Sequence, residues 1–297
     1  MQRITSATAA SLFDIAAARR MEQAAAAALA PHTLMQRAGL AVARLAMATA
    51  PHARTIWVAC GPGNNGGDGF EAAAQLQRRG FATVITRIGN ESRLPADARA
   101  SLQSARAAGV QFSEVPPEHS DLAIDALLGI GATRPPDGVM IDWLQQMHAA
   151  RSPVLSVDTP SGLNAETGTL SADFLASPAS GSDGPRRLCL SLLTLKPGLF
   201  TAQGRDAAGD VWFNDLGVAA GKEAPVARLP GTPPAPARRQ SSHKGSYGDV
   251  AVIGGAPAIP GAPPSWPLRP PSAQAPVVFL LRSSTRKFHR STWCNPN

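Results

Sequence analysis

Three short polar segments hold the residue types that do chemistry. The first is Cys60-Gly61-Pro62-Gly63-Asn64-Asn65-Gly66-Gly67-Asp68-Gly69, with five glycines, two asparagines and one aspartate in ten positions. Glycines permit positive φ and close approach of a ligand to the backbone. A helix starting just after them offers free amides to a phosphate. A tight strand-to-helix turn would need fewer such residues. The segment is neither G-x-G-x-x-G with an acidic residue about twenty positions on nor a P-loop, because it lacks the Lys-Ser/Thr ending.

The second segment is Asp125-Ala126-Leu127-Leu128-Gly129-Ile130-Gly131-Ala132-Thr133-Arg134-Pro135. By itself Asp125 reads as an aspartate capping its own loop. The third is Val157-Asp158-Thr159-Pro160-Ser161-Gly162-Leu163, where Asp158 alone reads as a turn or helix cap. Together the three mean more. Each follows a short apolar run read as a buried strand, at residues 55–60, 122–124 and 154–157. Ligands of open parallel sheets bind outside the carboxyl ends of the strands. Asn64, Asn65, Asp68, Asp125, Asp158 and Ser161 are therefore expected on one crevice. The set is rich in oxygen and has no His or Cys. It suits a hard cation or a sugar-phosphate and not zinc. The six histidines are scattered, with no Ser-His-Asp order.

The elements that position these segments alternate. Residues 10–50 read as helix broken at Pro31, from apolar residues at helical spacing. Strands at 55–60, 81–88, 110–112, 122–124 and 154–157 alternate with helices at 71–79, 96–108 and 141–150. Later strands at 187–195 and 209–213 close the same domain, and 171–184 reads as a surface loop. This order predicts a Rossmann-like three-layer α/β/α fold with a mostly parallel sheet.

The chain has 297 residues, 44% hydrophobic and 16% charged, enough for a sizeable core. No apolar run reaches the length of a membrane span, and the first residues lack the compact apolar segment of a signal peptide. The three cysteines suggest neither a disulfide framework nor a metal site, which suits the cytoplasm. The net charge of +7 is no sign of nucleic acid. No acidic residue follows Asp249, and the basic residues beyond it supply five of those seven charges.

With these loops in hand, the chain resembles the NAD(P)H-hydrate epimerase family, the YjeF N-terminal domain, over about residues 10–218. Its markers are Leu34-Met35-Gln36-Arg37-Ala38-Gly39, the three segments above, and Leu195-Lys196-Pro197-Gly198-Leu199. Thr159 and Asn164 depart mildly from the family pattern. A second start, His243-Lys244-Gly245-Ser246-Tyr247-Gly248 followed by a strand at 249–253, is similar to the opening of ribokinase-like NAD(P)H-hydrate dehydratases. That resemblance ends near Gly261, and nine prolines follow from Pro257 onward. The organisation expected is therefore an epimerase domain at 1–220, a proline-rich linker at 221–242, an incomplete ribokinase-like fragment at 243–261 and a disordered tail at 262–297. A frameshift would produce such a tail, and no dehydratase activity is expected of it.

The resemblance implies that the substrate is NAD(P)H hydrate, a nicotinamide nucleotide damaged by addition of water at C6, and that the R and S epimers are interconverted. It implies that Asn64, Asn65, Gly66, Gly67 and Asp68, with Gly129, Ile130, Gly131, Ala132, Thr133, Arg134 and Pro135, contact the substrate. It implies a potassium ion on Asn65, Asp125 and Ser161, and Asp158 in contact with the substrate. A carboxylate beside C6 can shuttle the proton and stabilise positive charge, and that catalytic role is expected of Asp158. Family members commonly form homodimers. Lys196 is open between a phosphate partner and a solvated loop residue. Two competing readings are a nicotinamide-dependent oxidoreductase and a non-catalytic scaffold. The missing acidic residue after the second strand counts against the first, and the presence of Asp125, Asp158 and Ser161 against the second.

Overall fold

A computed structural model describes residues 1–132, 134–171, 184–219, 221–232 and 241. The described elements run β1 (Gln2–Arg3), β2 (Ala9–Leu12), α1 (Ile15–Ala28), α2 (Thr33–Thr49), β3 (Thr55–Cys60), α3 (Asn64–Gln77), β4 (Ala82–Arg87), α4 (Ala96–Ala107), β5 (Gln111–Ser113), β6 (Leu122–Ala126), α5 (Val139–Ala149), β7 (Val154–Val157), β8 (Arg187–Leu192), α6 (Gly204–Ala208), β9 (Asp210–Asn214) and β10 (Ala227–Pro230).

The central sheet has the order β1-β9-β8-β7-β6-β3-β4-β5. Every pairing is parallel except β1 with β9. Strands covered on both faces read as continuous apolar runs, and β3 shows it. Ile56, Val58 and Cys60 pack with α2, α3 and α4 on one side, while Trp57 and Ala59 pack with Trp143, Leu144 and Met147 of α5 on the other. The expected three-layer α/β/α architecture is what forms. Strand order reverses between β3 and β6, which makes their carboxyl ends the switch point where such sheets bind ligands.

The helices approach closely because their contact residues are small. Ala72, Ala73 and Ala74 of α3 are fully buried, as are Ala43 and Ala46 of α2. A Cβ on Gly39 would stand 2.5 Å from the Cβ of Glu71. The marker at 34–39 is thus in large part a helix-packing device. Arg37, within it, donates to the Leu216 carbonyl at 2.8 Å.

Four expectations need correction. Residues 9–12 form strand β2 and not helix, and α1 begins where Asp14 accepts a hydrogen bond from the Ala17 amide at 2.7 Å. Helix α3 starts at Asn64, seven residues before the expected start. None of Gly61, Gly63, Gly66, Gly67 and Gly69 has positive φ. Their role is the missing Cβ: one on Gly66 would lie 2.0 Å from the Gly61 carbonyl oxygen, and one on Gly67 would lie 2.6 Å from Met35 Sδ. Finally, the stretch expected as a linker opens with ordered structure. Strand β10 pairs antiparallel with β2, Glu223 bonds Arg20 at 2.7 Å, and the compact unit runs Met1–Pro233. These pairings join residues some two hundred positions apart, which local pattern does not reveal.

The expected fragment at 243–261, the tail at 262–297 and most of the loop at 171–184 lie outside the described residues. Among the described residues no helix is long and apolar enough to cross a membrane.

Candidate functional site

Above the switch point lies a cavity of about 720 Å³. Its floor is the junction of β3 and β6. The Gly61 amide donates to the Ala126 carbonyl at 3.0 Å, and a Cβ on Gly61 would stand 1.7 Å from the Leu127 carbonyl oxygen. Only glycine lets the two loops meet this closely.

Asp125 is the penultimate residue of β6, and its side chain ties the second loop to the third. It is 1% exposed. It accepts from the Ser161 hydroxyl at 2.5 Å, the Ser161 amide at 2.9 Å and the Leu127 amide at 3.2 Å. The Ser161 oxygen in turn accepts from the Leu128 amide at 2.9 Å. Burial pushes the Asp125 carboxyl above its ordinary value, and the hydrogen bonds from Ser161, Leu127 and Ser156 work against that. No cationic side chain pairs with it among the described residues.

Asn65 lies across the same loop: a Cβ on Gly129 would be 3.2 Å from its Cβ. Asn65 is 8% exposed, and its Nδ2 has no hydrogen-bond partner among the described residues. The structure thus brings Asp125 and Ser161 into contact and sets Asn65 against the adjoining loop. No group of three His, Cys, Asp or Glu side chains is placed to hold a metal among the described residues. Any cation here would sit on mixed amide, hydroxyl and carboxylate oxygens.

Asp158 leaves β7 with φ of 66°, in the left-handed region. Leu193, which also lines the cavity, has φ of 63°. Non-glycine residues held there mark functional sites more often than chance. The Asp158 carboxylate accepts from the Leu192 amide at 3.0 Å and from the Lys196 ammonium. Lys196 is 1% exposed and also donates to the Leu192 carbonyl at 2.8 Å. The reading of Lys196 as a solvated loop residue is therefore overturned: it is a buried clamp on Asp158.

The residues expected to contact substrate divide. Asn64, Asn65, Asp68, Gly129, Ile130, Gly131, Ala132 and Asp158 line the cavity. Gly66 is turned against the Gly61 backbone of the preceding loop, and Gly67 against Met35 and Ala98. Arg134 and Pro135 line a smaller depression of about 190 Å³ beyond the 129–132 loop. Thr133 lies outside the described residues. Sequence reasoning missed Glu22, Met35, Leu192 and Thr194 as cavity residues. Glu22 carried a faint signal, an acid set beside the buried stripe of Ala18, Met21 and Ala25 on α1.

The profile of the family described as YjeF-related protein N-terminus matches residues 31–197, a span that holds all three polar segments and Lys196. The chain belongs to this family. As a YjeF-related domain, it is similar to curated proteins of stated activity. The NAD(P)H-hydrate epimerase of Bordetella pertussis (strain Tohama I) is 40% identical over 183 residues, covering 55% of this chain and 80% of the relative. The bifunctional NAD(P)H-hydrate repair enzyme Nnr of Escherichia coli K12 is 33% identical over 240 residues, 78% of this chain. This YjeF-related chain spans only 45% of that relative's length. The crystal structure of the yeast protein ynu0 matches with TM-score 0.52 at 19% identity, over 63% of this chain and 82% of that one, and shows the shared fold alone.

Proposed function

We propose that the unit before residue 234 is an epimerase that interconverts the R and S forms of NAD(P)H hydrate, a step of nicotinamide nucleotide repair. The observation that carries this reading is the Asp158 carboxylate, fixed by buried Lys196 at the wall of a dinucleotide-sized cavity over the switch point. The likeness to curated epimerases supplies the substrate.

The chemistry fits the wall. C6 of the hydrate carries a hydroxyl and is bonded to the ring nitrogen, so its inversion passes through a carbon with positive character. A held carboxylate stabilises that charge. Gly63, the N-cap of α3, gives no side-chain acceptor, so the first amides of the helix remain for the diphosphate. Asn64 stands at that mouth.

Asn65, Asp125 and Ser161 fit a potassium ion. They offer oxygen donors and one carboxylate that is buried without a cationic partner among the described residues. Bound there, potassium would neutralise Asp125 and fix the 127–129 loop under the substrate.

Chromatographic separation of the R and S hydrates tests the proposal. The wild-type chain is expected to equilibrate a pure epimer and to transfer no hydride. Asp158→Ala should slow equilibration at least about 10²-fold. Equal rates for both proteins, or hydride transfer to an acceptor, would reject it.

A further inference from the structure

Four acidic side chains line the cavity: Glu22 from α1, Asp68 from α3, Asp97 from α4, and Asp158 after β7. The basic groups lining it are Arg19 from α1, His32 at the start of α2 and Lys196. Two of the carboxyls are held very differently. Asp158 is fixed by the Leu192 amide and by Lys196. Asp68 is half-buried and has neither hydrogen bond nor ion pair among the described residues. It sits on the second turn of α3, one turn beyond Asn64, on a helix that its glycines lock against β3 and α2.

Asp68 lies in a setting that favours its protonated form. Burial first, then the negative charges of Asp158 and Glu22, push the Asp68 carboxyl well above the usual carboxylate range, and Lys196 offsets this only in part. Burial and the Asp158 charge raise Glu22 as well. A carboxyl raised in this way, across the cavity from one held by a buried lysine, suits the role of acid.

We propose that Asp68 is the general acid–base of the epimerisation, distinct from Asp158; this rests on the epimerase reading above. As the C6–O bond breaks, its electron pair leaves with the oxygen, which takes the Asp68 proton and departs as water. The lone pair of the ring nitrogen closes a C6=N double bond, and the positive charge faces Asp158. Water then adds to either face of the flat carbon. Its oxygen forms the new C–O bond, and its proton returns to Asp68 through the water of the cleft. Atoms and charge balance, and water is the only co-reactant.

The test uses the full chain, with R/S interconversion and hydrate affinity measured from pH 6 to 9 for wild type, Asp68→Asn and Asp68→Glu. Asp68→Asn is expected to lose about 10²- to 10⁴-fold in kcat at saturating hydrate, beyond any change in affinity. Wild-type kcat should fall as pH rises and Asp68 loses its proton. Asp68→Glu should recover part of the rate and keep that alkaline limb. A thermal midpoint close to that of wild type shows that Asp68→Asn is folded. An active wild type with an equally active Asp68→Asn overturns the assignment of Asp68 and leaves the epimerase reading standing. A wild type that leaves a pure epimer unchanged overturns both.

Discussion

The Lys196 ammonium and the Asp158 carboxylate form an ion pair of unequal depth, with the lysine side chain 2% exposed and the aspartate 13%. The lysine donates to the carboxylate and to the Leu192 carbonyl, so its charge is satisfied wholly inside the protein. The aspartate opens on the cavity.

This inequality sets a prediction. Removing one partner of a buried pair costs about 3–5 kcal/mol when the other charge is stranded. Asp158→Asn strands Lys196, which has no route to water, and should cost near that range. Lys196→Met leaves a carboxylate that the cavity can hydrate and should cost less, about 1–2 kcal/mol. Both should lower epimerisation at least about 10²-fold. Urea unfolding of the two variants checks the order, and a Lys196→Met less stable than Asp158→Asn contradicts it.

A second prediction separates the glycines by the space each one lacks. A Cβ on Gly61 would collide with the Leu127 carbonyl oxygen at 1.7 Å, whereas one on Gly63 meets nothing within 4 Å. Gly61→Ala must push β3 and β6 apart at the switch point and should cost about 3 kcal/mol or more. Gly63→Ala alters only a helix N-cap and should stay within about 1 kcal/mol. Denaturant midpoints at constant slope measure both, and comparable losses would argue against the close approach.

Much of this was legible in the residues, for a physical reason. Parallel strands buried on both faces must be apolar throughout, so Ile56 to Cys60 and Leu122 to Ile124 announce themselves, and the polar loops follow at their ends. Less visible was the start of α3. Asn and Gly are poor helix formers, and tertiary packing overrides that preference because Gly66 and Gly67 fit where a side chain would clash. Lys196 was opaque for another reason. Its partner Asp158 is 38 positions away in sequence, and a lone lysine before Pro197 looks solvated until the sheet is assembled. Strand β10 was hidden because Ala227–Pro230 gains its order by pairing with β2 at the other end of the unit.

The proposed cation site makes a prediction that does not depend on turnover. A ligand that binds only the folded state raises stability by RT ln(1 + [L]/Kd). Replacing choline chloride with potassium chloride at equal ionic strength should therefore raise the Tm of the wild-type chain by a few degrees. Ser161→Ala removes one oxygen donor, and Asp125→Asn removes the charge. Each should abolish most of the difference. A potassium-independent Tm in the wild type speaks against the site.

The last prediction lies away from the cavity, on α5. Burial first, then the charge of Arg187, holds the His148 ring down to about 4, and its Nδ1 is buried with no hydrogen-bond partner among the described residues. In the unfolded chain a histidine titrates near 6.5. The unfolded state therefore binds the proton more readily, and stability must fall as pH drops from about 6.5 toward 4. Above that window the ring is neutral in both states and adds no pH dependence. The shift corresponds to a loss on the order of 2–3 kcal/mol across the window. His148→Phe keeps a ring in the site and removes the titration. Denaturation midpoints taken at pH 7 and pH 5 should fall for wild type and change markedly less for His148→Phe; equal falls would place the acid sensitivity elsewhere.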